Sequence, residues 1–95
     1  MIRAVRTTED FWAALDFAIP GPDPSWHAFA AYDLPVAVER FATHWDTLPL
    51  LIIGRPDHRV LIAAGTVVHA YAIEAQLASD GSVELLSISV DLKGI

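Results

Sequence analysis

The apolar positions of this chain change period once, near residue 50. Upstream they recur at helical spacing. Phe11, Trp12, Leu15 and Ile19 share one face of a helix. Leu34, Val38, Phe41, Trp45 and Leu48 form a longer stripe, with Glu39, Arg40, Thr43, His44 and Asp46 on the opposite side. Downstream the apolar runs shorten to strand length. LLII at 50–53 reads as a buried strand, followed by strands over 59–64, 67–78 and 83–92.

Local signals punctuate these elements. IRAVR at 2–6 predicts a short edge strand. Thr7 or Thr8 offers an N-cap oxygen, and Glu9 and Asp10 lie in the first turn, where the helix dipole favours acids. PGPDP at 20–24 ends that helix, because its prolines cannot continue it. In WHAFAAY at 26–32, Trp26, Ala28, Ala30 and Tyr32 alternate with His27, Phe29 and Ala31. The alternation suits a strand and the alanines suit a helix; a short strand is the expectation. Asp33 is placed to cap the next helix, with Pro35 in its first turn and Pro49 as its stop. GRPDH at 54–58 is a loop.

Two turn signals set the expected register. Asp80-Gly81 fits a two-residue type I′ turn and Gly65-Thr66 a type II′ turn. The first pairs Leu77 with Glu84, Ala75 with Leu86, Ile73 with Ile88, Tyr71 with Val90 and His69 with Leu92. On the other face it sets Glu74 against Ser87 and Ala72 against Ser89. The second turn sets Ile62 against His69 and Val60 against Tyr71. One face is then apolar and the other polar or small, as a half-buried antiparallel sheet requires. The expected fold is a single α+β domain over 1–95: a two-layer sandwich with two amphipathic helices packed on a C-terminal antiparallel β-meander.

Composition narrows the chemistry. Of 95 residues, 54% are hydrophobic, which is rich for so small a body and favours a partner surface or a homo-oligomer. Twelve acids against six basic residues give a net charge of −6. That balance disfavours direct nucleic-acid binding and suits a partner with a basic surface. The absence of cysteine excludes disulfides, thiol nucleophiles and Cys-ligated metals, and accords with a reducing cytoplasm. MIRAVRTTED is polar where a secretory signal needs an apolar run, and no run reaches the ~20 residues of a membrane span.

Candidate chemical residues are few. His69 and Glu74 are five apart on one strand, so they point to opposite faces and form no acid–base pair. Glu74 is expected to face solvent or a partner, and His69 to lie on the core face. The loop Arg55-Pro56-Asp57-His58-Arg59 gathers charge; Asp57 could orient His58, and Arg55 and Arg59 could hold an anion. His44 and Asp46 are two apart and do not share a helix face. There is no HxH, HxxxH or HExxH spacing, and neither a metal nor a cofactor is expected. Trp26, after the proline-rich loop, is the aromatic residue with least structural explanation and a candidate partner anchor.

The order of strand, two helices and antiparallel meander resembles the small RelE/ParE-type toxins of bacterial toxin–antitoxin modules. The resemblance is in element order alone and covers no matched motif. It implies an enzyme acting on RNA or a DNA-bound target through the 55–59 loop, with His58, Arg55, Arg59 and His69 as catalytic candidates. Those toxins are typically basic, whereas residues 60–92 carry no Arg or Lys. The leading expectation is therefore a non-enzymatic, acidic protein-binding module: an inhibitor, immunity or antitoxin-like protein, or an accessory subunit. Its expected contacts are Trp26, Asp23 and Asp33 around the mid-chain loop, then Glu74, Glu84 and Asp91 on the strands.

Overall fold

The computed structural model describes residues 2–20 and 23–92. Gly21 and Pro22, inside the expected break at 20–24, lie outside the described residues. The fold is α+β. Strand β1 (Val5–Thr7) leads into helix α1 (Glu9–Ala18). Helix α2 (Ser25–Ala28), a π-helical turn (Phe29–Asp33) and helix α3 (Leu34–His44) follow, closed by a 3₁₀ turn (Trp45–Thr47). Strands β2 (His58–Ala64), β3 (Ala70–Leu77) and β4 (Val83–Asp91) complete the chain. The sheet order is β1-β4-β3-β2. It is mixed, because β1 runs parallel to β4 while the other two pairings are antiparallel.

Helix α1 forms where expected. The Thr8 hydroxyl accepts from the Phe11 amide, and Phe11, Leu15 and Ile19 are fully buried. The expected strand at 26–32 is instead helix. Pro24 holds its N-cap position, and just ahead of it the Asp23 carboxylate accepts from the Ser25 amide, turning the chain into the helix. Backbone angles stay right-handed helical at Ala28, Phe29, Asp33 and Leu34, so α2 runs into α3 without a break. Pro35 explains the π turn. Proline inside a helix has no N–H to donate, and its ring crowds the carbonyl four residues back. Widening the preceding turn relieves this: the Leu34 amide reaches back five residues, to Phe29.

The core joins Phe11, Leu15 and Ile19 with Phe29, Leu34, Ala37, Phe41 and Trp45 from the second helical run. From the sheet come Leu61, Tyr71, Ile73, Ala75, Val83, Leu85 and Ile88.

The β3–β4 register is the expected one over 70–74 and 87–91, with Tyr71 opposite Val90 and Ile73 opposite Ile88. Nearer the turn it differs by one. The Gly81 amide bonds to the Ala78 carbonyl, the Ala78 amide to the Ser82 carbonyl, and Gly81 has φ +85°. This is a three-residue loop ending in a left-handed glycine, not a two-residue turn. Leu77 therefore faces Val83 and Ala75 faces Leu85. A bulge at Leu86 absorbs the extra residue and restores the expected register beyond it.

The β2–β3 register overturns the expected one. Gly65-Thr66 is not a two-residue turn; Ala64 pairs with Ala70 across five loop residues, closed by the Gly65 amide on the His69 carbonyl. Leu61 faces Ile73, Ala63 faces Tyr71 and Ile62 faces Ala72. Ile62 is thus 70% exposed, and His69 lies in the loop, exposed rather than on the core face. LLII at 50–53 is not a buried strand either. Only Leu50 bridges to β2, opposite Arg59, and all four side chains are exposed.

Candidate functional site

The 55–59 loop does not assemble the catalytic group that the toxin resemblance implies. Arg55 forks onto Asp57, Nε to Oδ1 at 3.2 Å and an Nη to Oδ2 at 3.3 Å. That contact holds the Asp57 carboxyl below its ordinary range and raises the Arg55 guanidinium. His58 Nδ1 lies 3.4 Å from both partners. Arg59 turns away from them. Its guanidinium donates to the carbonyls of Asp46, Leu48 and Pro56 and lies over the Trp45 ring, 5.7 Å from its centroid. Arg59 therefore closes the C-terminal end of the second helical run instead of presenting its charge to an anion. His58 and His69 sit near opposite ends of the β2–β3 ladder, roughly 20 Å apart at the usual rise per residue. The four candidates do not converge. Among the described residues no three His, Asp or Glu side chains are grouped to hold a metal ion.

Most of the expected binding residues have structural partners. Trp26 is half-buried; its ring packs on Trp12 at 6.0 Å and its Nε1 donates to Asp16 at 2.9 Å, tying α2 to α1. Asp23 accepts from the Ser25 amide in the turn ahead of α2. Asp33, expected at the surface and as a cap for α3, is only 4% exposed and makes no cap bond. Its carboxylate accepts four hydrogen bonds from the β2–β3 loop: the Thr66 amide and hydroxyl on one oxygen, the Val67 and Val68 amides on the other. Glu84 accepts from Gln76 and Arg6, and its carboxyl is lowered by them in that order. Glu74 and Asp91 are exposed.

Two surface features escaped the sequence reading. The first is an aliphatic tip. Leu50, Leu51, Ile52 and Ile53 are 42, 37, 48 and 96% exposed. The Arg55 amide bonds the Ile52 carbonyl across a tight turn that Gly54 makes feasible at φ +83°. Pro49 and Leu51 hold the base of the tip against β2, through Val60 N–H to Pro49 O and Leu51 N–H to His58 O. The signal was the run's position between Pro49 and Gly54, with no polar residue to pair off a face. The second feature is a groove of about 580 Å³ between α1 and β4, lined by Ala14, Phe17, Ala18, Ile88, Ser89 and Val90. Phe17 on its rim is 90% exposed.

No protein-family model, curated protein or solved structure matches the chain. No helix among the described residues is long and apolar enough to cross a membrane.

Proposed function

We propose that this chain is a small acidic protein-binding module that docks through the Leu50–Ile53 tip. The observation that carries the reading is the tip itself. Four consecutive large aliphatic side chains stand in solvent on a backbone braced by β2 and by the Ile52–Arg55 turn. Contiguous exposed apolar surface of this kind marks an interaction site in a soluble fold. The net charge of −6 selects a protein partner with a basic surface over an anionic membrane or a nucleic acid. A two-layer arrangement suits the role, since helices on one face of a sheet leave the turns between strands free to project. Inhibitor, immunity, antitoxin-like and accessory-subunit roles all fit this description.

Burial of an isoleucine side chain is worth about 1.5–3 kcal/mol. The double variant Ile52→Asp, Ile53→Asp is therefore expected to weaken partner binding on the order of 100-fold or more. Its unfolding free energy should stay within about 0.5 kcal/mol of the parent, as for surface substitutions generally. The measurement is titration of a purified partner, first recovered with the parent chain, against both proteins. Equal affinity for the two, or binding of the tip to anionic vesicles instead of protein, overturns the reading. Arg55→Ala with His58→Ala should leave partner binding intact, whereas an enzyme acting through the 55–59 loop would lose its activity.

A further inference from the structure

We propose that the open edge of β4, Ser87–Asp91, joins the same edge of a second copy of this chain. The two strands run antiparallel about a two-fold axis at Ser89, making one continuous eight-stranded sheet. The two edges of the sheet are unequal. Along β2, the Pro49–Leu51 segment occupies part of the rim. On the other side, β1 pairs with β4 only at Val83, Glu84 and Leu85. Past Leu85, β4 has no strand beside it on that side among the described residues. Unguarded edges recruit further strands, and proteins that stay monomeric block them with Lys, Pro or a covering element. From Ser87 to Asp91 there is no Lys, Arg or Pro.

The sequence of this edge is complementary to itself. Antiparallel pairing about Ser89 sets Ile88 opposite the second copy's Val90, both on the core face. Ser87 falls opposite the second copy's Asp91, a hydroxyl donor against a carboxylate. Ser89 falls opposite Ser89. No carboxylate meets another across the seam, so two copies each carrying −6 join where neither repels the other locally. A shift of register by one residue would set serine against Ile88 or Val90 and lose this match. Because β1 ends at Thr7 opposite Leu85, the seam is confined to the strand beyond it, the five residues Ser87–Asp91 past the Leu86 bulge. Phe17, 90% exposed, flanks the seam with Ala14 and Ala18 across the α1–β4 groove, and would be covered by the second copy.

The axis at Ser89 gives a charge-swap test. Sedimentation velocity at low salt should show the parent chain moving to twice its 10.4 kDa mass as concentration rises. Ser89→Lys and Ser89→Glu each place like charges face to face, and each alone should raise the dimer dissociation constant at least tenfold. An equimolar mixture of the two should recover the dimer, as one Lys–Glu pair per seam. Ser89 is exposed, so far-UV circular dichroism and the thermal midpoint of both variants should match the parent. A parent that stays monomeric, single variants that remain dimeric, or a mixture that stays monomeric each overturns the proposal. Ile52→Asp with Ile53→Asp should leave the dimer unchanged, which separates this seam from the partner-docking tip.

Discussion

Asp33→Ala should destabilise the fold by about 3 kcal/mol, because it strips four donors of their acceptor at once. A buried donor left unsatisfied costs about 1–3 kcal/mol, and the Val68 site is buried. The Thr66 groups can turn to water and return part of the loss, which keeps the total well below four full penalties. In a domain of this size the change corresponds to a fall in Tm of roughly 10–20 °C. Asp33→Asn should do little better. It keeps an acceptor for Thr66 but points an amide NH₂ at the Val67 and Val68 amides, donor against donor. The comparison also has a pH signature. Burial pushes the Asp33 carboxyl up, but the bonds from Thr66, Val67 and Val68 outweigh it, and the pKa lies below its ordinary value of 3.8. A depressed folded pKa means that the carboxylate's contribution is fully present above the unfolded value. It is lost as pH falls through the folded value. The stability gap between the parent and Asp33→Asn should therefore hold constant from pH 7 to about 5 and narrow below pH 4. Urea titrations across pH 2–7 measure it. Asp57, Asp80 and Glu84 also have lowered carboxyls, but they titrate equally in both proteins and drop out of the difference. A gap that stays flat into acid would mean that Asp33 does not anchor the loop as an anion.

That anchor also explains where the sequence was legible and where it was not. Helix α1, the stripe through Phe41 and Trp45, and the pairing of Tyr71 with Val90 all follow from local periodicity, and each is present. The β2 register does not follow, because a residue 33 positions upstream decides it. With a two-residue turn at Gly65-Thr66, β2 would bury Val60 and Ile62. Asp33 instead gathers Thr66, Val67 and Val68 around itself, lengthens the loop to five residues and buries Val68. The register shifts, Leu61 and Ala63 turn to the core side, and Arg59 comes within reach of the Asp46 and Leu48 carbonyls. One long-range carboxylate thus moved Ile62 and His69 out of the core and took Arg59 out of the candidate site. The missed helix at 26–32 was different in kind. Its starting turn, Asp23-Pro24-Ser25, stands in the sequence, and alanine's helix propensity outweighs a three-pair alternation. The aliphatic tip is not legible in the sequence, because strand length and apolarity do not say whether a neighbouring strand is available to cover a run.

Gly65→Ala should cost about 2–3 kcal/mol, although glycine is there for space and not for backbone angle. A Cβ at residue 65 would stand 2.6 Å from the Val68 carbonyl oxygen, 2.7 Å from Asp33 Oδ2 and 2.8 Å from Val68 Cγ2. All three approaches are too close to keep. The two partners are poorly able to yield, since the Val68 side chain is in the core and the Asp33 oxygen is held by the Val67 and Val68 amides. Overpacking a fixed site typically costs about 1–3 kcal/mol, and two of these neighbours belong to one tight turn. Gly54→Ala is the control: it meets nothing within 4 Å, and its cost comes from the left-handed backbone alone. The double variant Gly65→Ala, Asp33→Ala carries the decisive number. Removing the carboxylate takes away one of the three clashes and frees the loop to open around the new methyl. The combined loss should therefore fall short of the sum of the single losses by about 1 kcal/mol. Strict additivity would mean that the strain at Gly65 is carried by Val68 alone and that Asp33 and Gly65 are neighbours without being coupled. A clear shortfall would identify the Asp33 oxygen as one wall of the space that only glycine fits. The β2 register would then depend on a matched pair, an acceptor upstream and a missing side chain downstream.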